Sequence, residues 1–354
     1  MLREYLIKGL LLPFSLLFGL GVLLRDLLYK TRLLRSIQFN IPVIGVGNLA
    51  VGGSGKTPHV EYLITLLQPY LNIGVMSRGY NRKTKGYRLV NKTDTAKTVG
   101  DEPKQYSMKY PNISVAVSES RSIGIPQMLS HRPNVQALIL DDSYQHRSVT
   151  AGLNILLTDY SKPYFDDFLL PSGRLREWPQ GAARADIIIV SKCPHKINDA
   201  ERQAIINKIA PEEHQNIYFT KYRYQNPYHI FNGNRIALSH YDTAILVTAI
   251  ASIDYLMEYI DSQVPIVSSF SFEDHHYFSP HEVSNIAATY NELNDQKAVI
   301  ITTEKDATRL GLHYDYLIKY NINIYVLPIQ VEFLNDQSDS FDREIQDYLL
   351  NFTV

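Results

Sequence analysis

The sequence predicts an α/β fold: a doubly wound, mainly parallel sheet, a second and smaller α/β unit, and an apolar N-terminal helix. Three observations predict it. Short apolar stretches alternate with helical patterns, a glycine-rich turn follows the first of them, and residues 9–24 carry no charged side chain. At 354 residues the chain exceeds the roughly 250–300 at which one core stops growing, so two domains are expected. Apolar residues at 45% and charged residues at 20% suffice to bury real cores. Lys+Arg 35 against Asp+Glu 36 leaves a formal charge of -1, which removes the electrostatic case for a nucleic-acid partner. The single cysteine, Cys193, excludes an intrachain disulfide and a Cys-based zinc cluster, and fits a reducing, cytoplasm-facing location.

The N-terminal run GLLLPFSLLFGLGVLL would be about 24 Å long as a helix, short of the ~30 Å hydrocarbon core of a bilayer. Pro13, Gly19 and Gly21 weaken it further as a straight span. Arg3 and Lys8 precede it; Arg25, Lys30, Arg32 and Arg35 follow it. No small-residue cleavage site of a signal peptide comes after. Residues 1–38 are therefore expected as a helix lying in the membrane interface, its basic residues on headgroups. A helix buried on the core and a true span are the competing readings. Residues 39–223 should form the larger domain, with strands at 42–46, 73–76, 113–117, 137–140, 153–157 and 187–190. These are nearly continuous apolar runs, as parallel strands covered on both faces require. Residues 59–67 and 121–129 can hold crossover helices. Phe231-Asn232-Gly233-Asn234 signals a hairpin-like linker into a second unit, 224–354, with strands at 244–248, 298–302 and 324–327.

Directly after the first strand come Gly47, Asn48, Leu49 and Ala50, then Val51-Gly52-Gly53-Ser54-Gly55-Lys56-Thr57-Pro58. A phosphate-binding loop needs glycines that let backbone N–H groups turn around an anion, a Lys for the outer phosphates, and a Ser or Thr hydroxyl for Mg²⁺. All are present between a strand and a helix, whose N-terminus adds its own amides. Ala50 breaks the strict G-x-x-x-x-G-K-[ST] pattern, but the GGxGKT variant is intact, so a P-loop that binds nucleotide is expected. The run Ala137–Leu140 ends in Asp141-Asp142, at the strand end that faces the same crevice. Asp141 and Asp142 join Thr57 as metal candidates; a solvated turn is the bland alternative.

Further strings sharpen this: Gly100-Asp101-Glu102-Pro103, Asp141-Asp142-Ser143-Tyr144-Gln145-His146-Arg147, and Phe272-Glu273-Asp274-His275-His276. Ser77-Arg78-Gly79-Tyr80, Leu170–Glu177 and Thr303-Glu304-Lys305-Asp306 accompany them. With the glycine loop, this ordered set closely resembles the tetraacyldisaccharide 4'-kinase family, the lipid A 4'-kinases of Gram-negative bacteria, from the N-terminal segment to about Leu310. Ser143, Tyr144, Ser172 and Arg174 depart from the family pattern and remove no reacting group.

The resemblance implies an enzyme that uses ATP and Mg²⁺ to phosphorylate the 4'-hydroxyl of a tetraacyl glucosamine disaccharide 1-phosphate, making lipid IVA. It places the protein on the cytoplasmic face of the bacterial inner membrane, with a lipid substrate, a membrane surface and no obligate protein partner. Val51, Gly52, Gly53, Ser54, Gly55, Lys56 and Thr57 would hold the nucleotide. Asp101 is the expected base for the acceptor hydroxyl, though it equally suits the N-terminus of a helix over 102–108. The family pairs it with a His of the Asp-His-His string, His275 ahead of His276. Arg121 and Arg176, with Glu177 beside them, are candidate charge stabilisers, and Asp142 can also position water. Asn48, Ser77, Arg78, Gln145 and His146 are candidates for contact with substrate. Glu304 and Lys305 follow an apolar strand and can frame the nucleotide base. The alternative function is a membrane-associated ATPase switch of the deviant GGxGKT type with no lipid acceptor. It commonly carries an extra Lys where Val51 stands.

Overall fold

The structure is a computed structural model that describes residues 2–250 and 253–353. Helix α1 (Leu2–Lys30) is followed by β1 (Val43–Asn48), α2 (Lys56–Leu67), β2 (Ile73–Ser77) and β3 (Arg88–Leu89). Next come α3 (Ala96–Val99), α4 (Asp101–Lys109), β4 (Ser114–Val117), α5 (Arg121–His131) and β5 (Ala137–Asp141). The chain continues through β6 (Leu153–Asp159), β7 (Ile187–Ser191), α6 (Asp199–Ile209), β8 (Asn216–Tyr224) and β9 (Tyr228–His229). After β10 (Thr243–Thr248), α7 (Asp254–Asp261), β11 (Ile266–Ser271) and α8 (Pro280–Glu292) it forms β12 (Ala298–Thr303), α9 (Glu304–Leu310) and α10 (Tyr314–Lys319). It ends with β13 (Ile324–Leu327), β14 (Ile329–Phe333) and α11 (Ser338–Leu350).

Two sheets result. The larger has nine strands in the order β14-β8-β7-β6-β1-β5-β2-β4-β3, parallel except for its two outermost strands. The smaller has five, β11-β10-β12-β13-β9, with only β9 antiparallel. β1 lies between β5 and β6, where the winding direction reverses, so the loop after it opens into the crevice where such sheets bind ligands. All six residues of β1 are buried, and Ile44, Val46, Val60, Leu63 and Ile64 pack in one core. Each fully buried side chain of this kind contributes about 1.5–3 kcal/mol.

The expected boundary at 223/224 separates the sheets only at its first crossing. β14 pairs antiparallel with β8, from Ile329↔Tyr224 to Phe333↔Thr220, so the chain returns to the larger sheet. The smaller sheet is thus an insertion between β8 and β14, and the Gln225 N–H donates to the Pro328 carbonyl at 2.9 Å where the two crossings meet. The expected Asn-Gly turn is present, with Gly233 at φ +72°. It folds within the insertion, and β9 before it pairs with β13.

α1 is longer than its uncharged run, because the Leu-, Arg- and Lys-rich flanks continue the helix on both sides. It docks along a narrow stripe of Ser15, Gly19 and Val22. The Ser15 hydroxyl is 2.8 Å from Ser172 Oγ and 3.0 Å from the Leu169 carbonyl. Trp178 Nε1 donates to the Gly19 carbonyl at 3.0 Å, and a Cβ at Gly19 would run into Trp178 and Leu169. Arg25 donates to Glu177 (2.7 Å) and Arg147 to Asp26 (2.7 Å). The remaining faces leave Leu10, Phe14, Leu17, Leu20 and Leu24 bare, each more than half exposed. The segment Lys8–Lys30 is long and apolar enough to cross a membrane by length and composition alone.

Candidate active site

The glycine loop closes into a cradle because two of its glycines take left-handed conformations, Gly52 at φ +104° and Gly55 at φ +84°. Gly55 precedes α2 and offers no side-chain cap, so the first amides of that helix stay free for an anion. A Cβ on Gly55 would collide with the Tyr222 hydroxyl. The loop is braced from behind: Ser191 Oγ donates to the Ser54 carbonyl (2.8 Å) and the Val51 N–H to the Arg174 carbonyl (2.7 Å). His59 Nδ1 lies 2.8 Å from the Gly55 carbonyl and Nε2 3.1 Å from Thr220 Oγ1. Burial pushes His59 down to about 4, so the neutral ring donates from Nδ1 to the carbonyl and accepts at Nε2.

Lys56 Nζ stands 3.1 Å from Asn48 Oδ1 and 3.5 Å from Asp142 Oδ1. Arg176 grips Asp142 with both terminal nitrogens, at 2.9 and 3.2 Å, and also donates to Asn48. Burial opposes ionisation of Asp142, yet the Lys56 charge and the Arg176 hydrogen bond hold its carboxyl well below the usual range. Burial and the Asp142 charge push Asp141 up. Two adjacent carboxylates, one strained by the other, and the Thr57 hydroxyl make an all-oxygen donor set suited to Mg²⁺. Ser54 Oγ and Asn48 Nδ2 are buried without a partner beside this cradle, which fits a site built for a polar ligand.

These groups line one wall of a cavity of about 500 Å³ whose rim runs from Val51 through Thr57, Ser77, Arg78, Asp141, Asp142 and Arg176. Five expected site residues stand behind that wall. Fully buried Arg121 donates to the carbonyls of Ser118 and Asp141, both at 2.8 Å, and so fixes the end of β5. Glu177 accepts from Arg25 and Arg184 (2.5 Å) and ties down α1. Asn48 orients Lys56 and Arg176, and Gln145 Nε2 donates to the Asn48 carbonyl at 2.8 Å. Burial, then the Arg121 and Arg78 charges, lower His146 to about 4.

The insertion adds Asp274, His275 and Lys305 to the lining of the same cavity, beside Glu102 of α4. Asp101 begins α4, and its Oδ2 lies 2.9 Å from His275 Nδ1 and 3.8 Å from Lys305 Nζ, with Arg309 also donating to it. Burial would raise this carboxyl, but the His275 hydrogen bond and the Lys305 and Arg309 charges hold it far below its ordinary value. An ionised carboxylate only accepts, so Nδ1 carries the proton and Nε2 is the open acceptor, 3.2 Å from Lys305 Nζ. His275 lines the cavity; Asp101, 2% exposed, sits behind it. His276 turns away, stacked on Phe272 and 3.0 Å from Glu282. Lys305 lines the cavity beside this pair, 3.2 Å from Asp274 and 3.4 Å from Glu102. Burial and the Asp101 charge push Glu102 up to about 8. Asp101, Glu102 and His275 also cluster closely enough to hold a cation, but Arg309 and Lys305 already supply positive charge there.

Sequence reasoning missed Arg309 and the Glu61–Lys109–Glu304 bridge. Arg309 is fully buried and reaches Asp306 Oδ1 at 3.1 Å; its i, i+3 spacing from Asp306 is the one available signal. Lys109 Nζ lies 2.7 Å from Glu61 and 2.8 Å from Glu304, whose side chain also lines the cavity.

A family model described as Tetraacyldisaccharide-1-P 4'-kinase matches residues 7–349. The chain is 41% identical over 351 residues to a tetraacyldisaccharide 4'-kinase of Bacteroides thetaiotaomicron, covering 96% of this chain and 92% of that one. Its identity to the Flavobacterium johnsoniae protein of the same name is 39% over 346 residues, covering 97% and 98%. Among solved structures, LpxK from Aquifex aeolicus in complex with ATP superposes with a TM-score of 0.74 at 25% identity, covering 97% of this chain and 99% of that one. Fold, cradle and matches agree, and the chain belongs to the tetraacyldisaccharide-1-P 4'-kinase family.

Proposed function

We infer that this protein transfers the γ-phosphoryl group of ATP to the 4'-hydroxyl of a tetraacyl glucosamine disaccharide 1-phosphate. The observation that carries the reading is that one cavity is lined both by the phosphate cradle around Lys56 and by His275, which Asp101 holds from behind. Lys56 and the α2 amides take the β- and γ-phosphates. Thr57, Asp141 and Asp142 would hold Mg²⁺, which supplies charge neutralisation when bound. Arg176 stands ready for the charge that spreads over the transferred group. As the sugar oxygen bonds to phosphorus and the bond to ADP breaks, the hydroxyl proton passes to His275 Nε2. Asp101 fixes the ring and stabilises the cation that forms. Lys305 must yield its contact with Nε2 to the hydroxyl. No observation favours the acceptor-free ATPase, which has no use for this pair.

The bare face of α1 supports a place for the enzyme on a membrane surface, on the cytoplasmic side where ATP is found. An acyl-chain acceptor then stays in the bilayer, and the cost of about 0.8 kcal/mol for each exposed CH₂ is avoided. Purified protein in mixed micelles with Mg-ATP and the acylated disaccharide 1-phosphate should yield a lipid carrying one more phosphate. Lys56→Ala should lower that rate by about 10²–10³-fold. ATP hydrolysis with no phosphorylated lipid would overturn the assignment.

A further inference from the structure

The Asp101–His275 pair has a neighbour that the transfer step does not use. Lys305, on α9, puts its ammonium 3.2 Å from His275 Nε2, 3.2 Å from Asp274 Oδ1, 3.4 Å from Glu102 Oε1 and 3.8 Å from Asp101 Oδ2. Burial works against the charge of this lysine, but Glu102, Asp101 and Asp274 outweigh it and raise its value. An ammonium only donates, so its contact with the ring has one sense: the lone pair of Nε2 accepts. The ring is fixed on its other sides. Asp101 holds Nδ1, and Tyr80 packs against the ring with centroids 4.9 Å apart. His275 also takes a left-handed backbone angle, φ +64°, that residues other than glycine seldom adopt. The backbone is thus bent to present this ring, while the nitrogen free for chemistry is already capped.

His275 keeps 19% of its side chain exposed in a cavity that also holds the phosphate cradle, so water can reach both. A bare Nε2 would serve water as readily as a sugar hydroxyl. In that side reaction a water oxygen bonds to the γ-phosphorus as the bond to ADP breaks. The water proton passes to Nε2, and ADP and inorganic phosphate are left. An ammonium on Nε2 opposes this twice: it occupies the lone pair, and its positive charge disfavours a protonated ring. We propose that Lys305 guards His275 against water and that the bound acceptor displaces it. A disaccharide held along the rest of its surface can use that binding energy to move the ammonium; a water molecule has none to offer. Asp274, already in contact with the ammonium, is the seat to which it retreats. Lys305 is thereby a positioning residue that sets the choice between an alcohol and water. The proposal rests on the reading of His275 as the proton acceptor in lipid phosphorylation.

The test follows ADP and phosphorylated lipid separately, using the full chain and Mg-ATP in mixed micelles, with and without the acylated disaccharide 1-phosphate. Lys305→Met removes the charge and keeps the stem; it should raise acceptor-free ATP hydrolysis about tenfold, a fraction of what a freed general base can supply. The double variant Lys305→Met/His275→Ala should fall back to the wild-type level, which a merely structural lysine would not produce. Lys305→Arg, a cation of similar reach, should keep hydrolysis low. Lys305→Gln keeps a donor for the carboxyls without the charge and gives the same comparison should the Met variant fail to fold. Unchanged or slower hydrolysis in the neutral variants, or a gain that survives His275→Ala, would overturn the guard alone. A wild-type protein that forms no phosphorylated lipid would overturn the reading beneath it.

Discussion

Asp101 is buried, and its charge is balanced by Arg309 and Lys305. A carboxylate so well stabilised is a weak proton acceptor alone; it acts by holding His275. Asp101→Asn and His275→Ala should each lower kcat by about 10²–10⁴-fold, and the double variant should be no slower than the worse single one. ATP affinity, measured separately, should change less than twofold in all three; additive losses would separate the two residues. The pair was legible in the sequence because both members stand in short strings with family spacing. Arg309 was not, because an arginine reads as surface charge until tertiary structure encloses it. Asp101 also reads as the residue that meets the acceptor; its depth behind His275 is set by packing between α4 and α9, which no local pattern records.

Among the elements, α1 carries the sharpest test. It is fastened by a stripe of small residues, and the chain's single tryptophan, Trp178, donates to its Gly19 carbonyl. Gly19→Leu should lift the helix off Trp178, shift the tryptophan emission to longer wavelength and cost about 1–3 kcal/mol of stability. Gly21→Leu, where an added Cβ meets nothing within 4 Å, should leave the emission unchanged. The continuous apolar strands of the parallel core were readable because both of their faces are buried. β8 and β11 escaped notice because they mix polar with apolar residues, as in Lys221-Tyr222-Arg223 and Ser268-Ser269. The return of β14 was equally silent: a five-residue strand does not announce which sheet it will join.

At the scale of the whole molecule, the two sheets are joined by buried charge. Lys109 on α4 serves Glu61 on α2 and Glu304 on α9 at once. Burial and the Glu304 charge push Glu61 up to about 7, and burial likewise raises Glu304. Lys109→Met would leave two carboxyls facing each other without their cation, a loss of about 3–5 kcal/mol in urea unfolding. Carboxyls with raised folded-state values keep protons that the unfolded chain has released above about 4.5. The deficit should therefore be smallest near pH 5 and grow toward pH 8; a pH-independent deficit would contradict the ion bridge.

The insertion between β8 and β14 also sets an order of assembly. α11, which follows β14 in the chain, sends Tyr348 back to the backbone of Val43 (2.9 and 3.1 Å), Asp342 to Tyr62 (2.8 Å) and Glu344 to Tyr218 (2.9 Å). The strand that leads into the phosphate loop is thus clasped by a residue made 305 positions after Val43. During synthesis the insertion can fold on emergence, while the older half of the chain waits for its closing piece. A nascent chain stalled before β14 would have its small sheet made and its ATP-binding sheet unfinished.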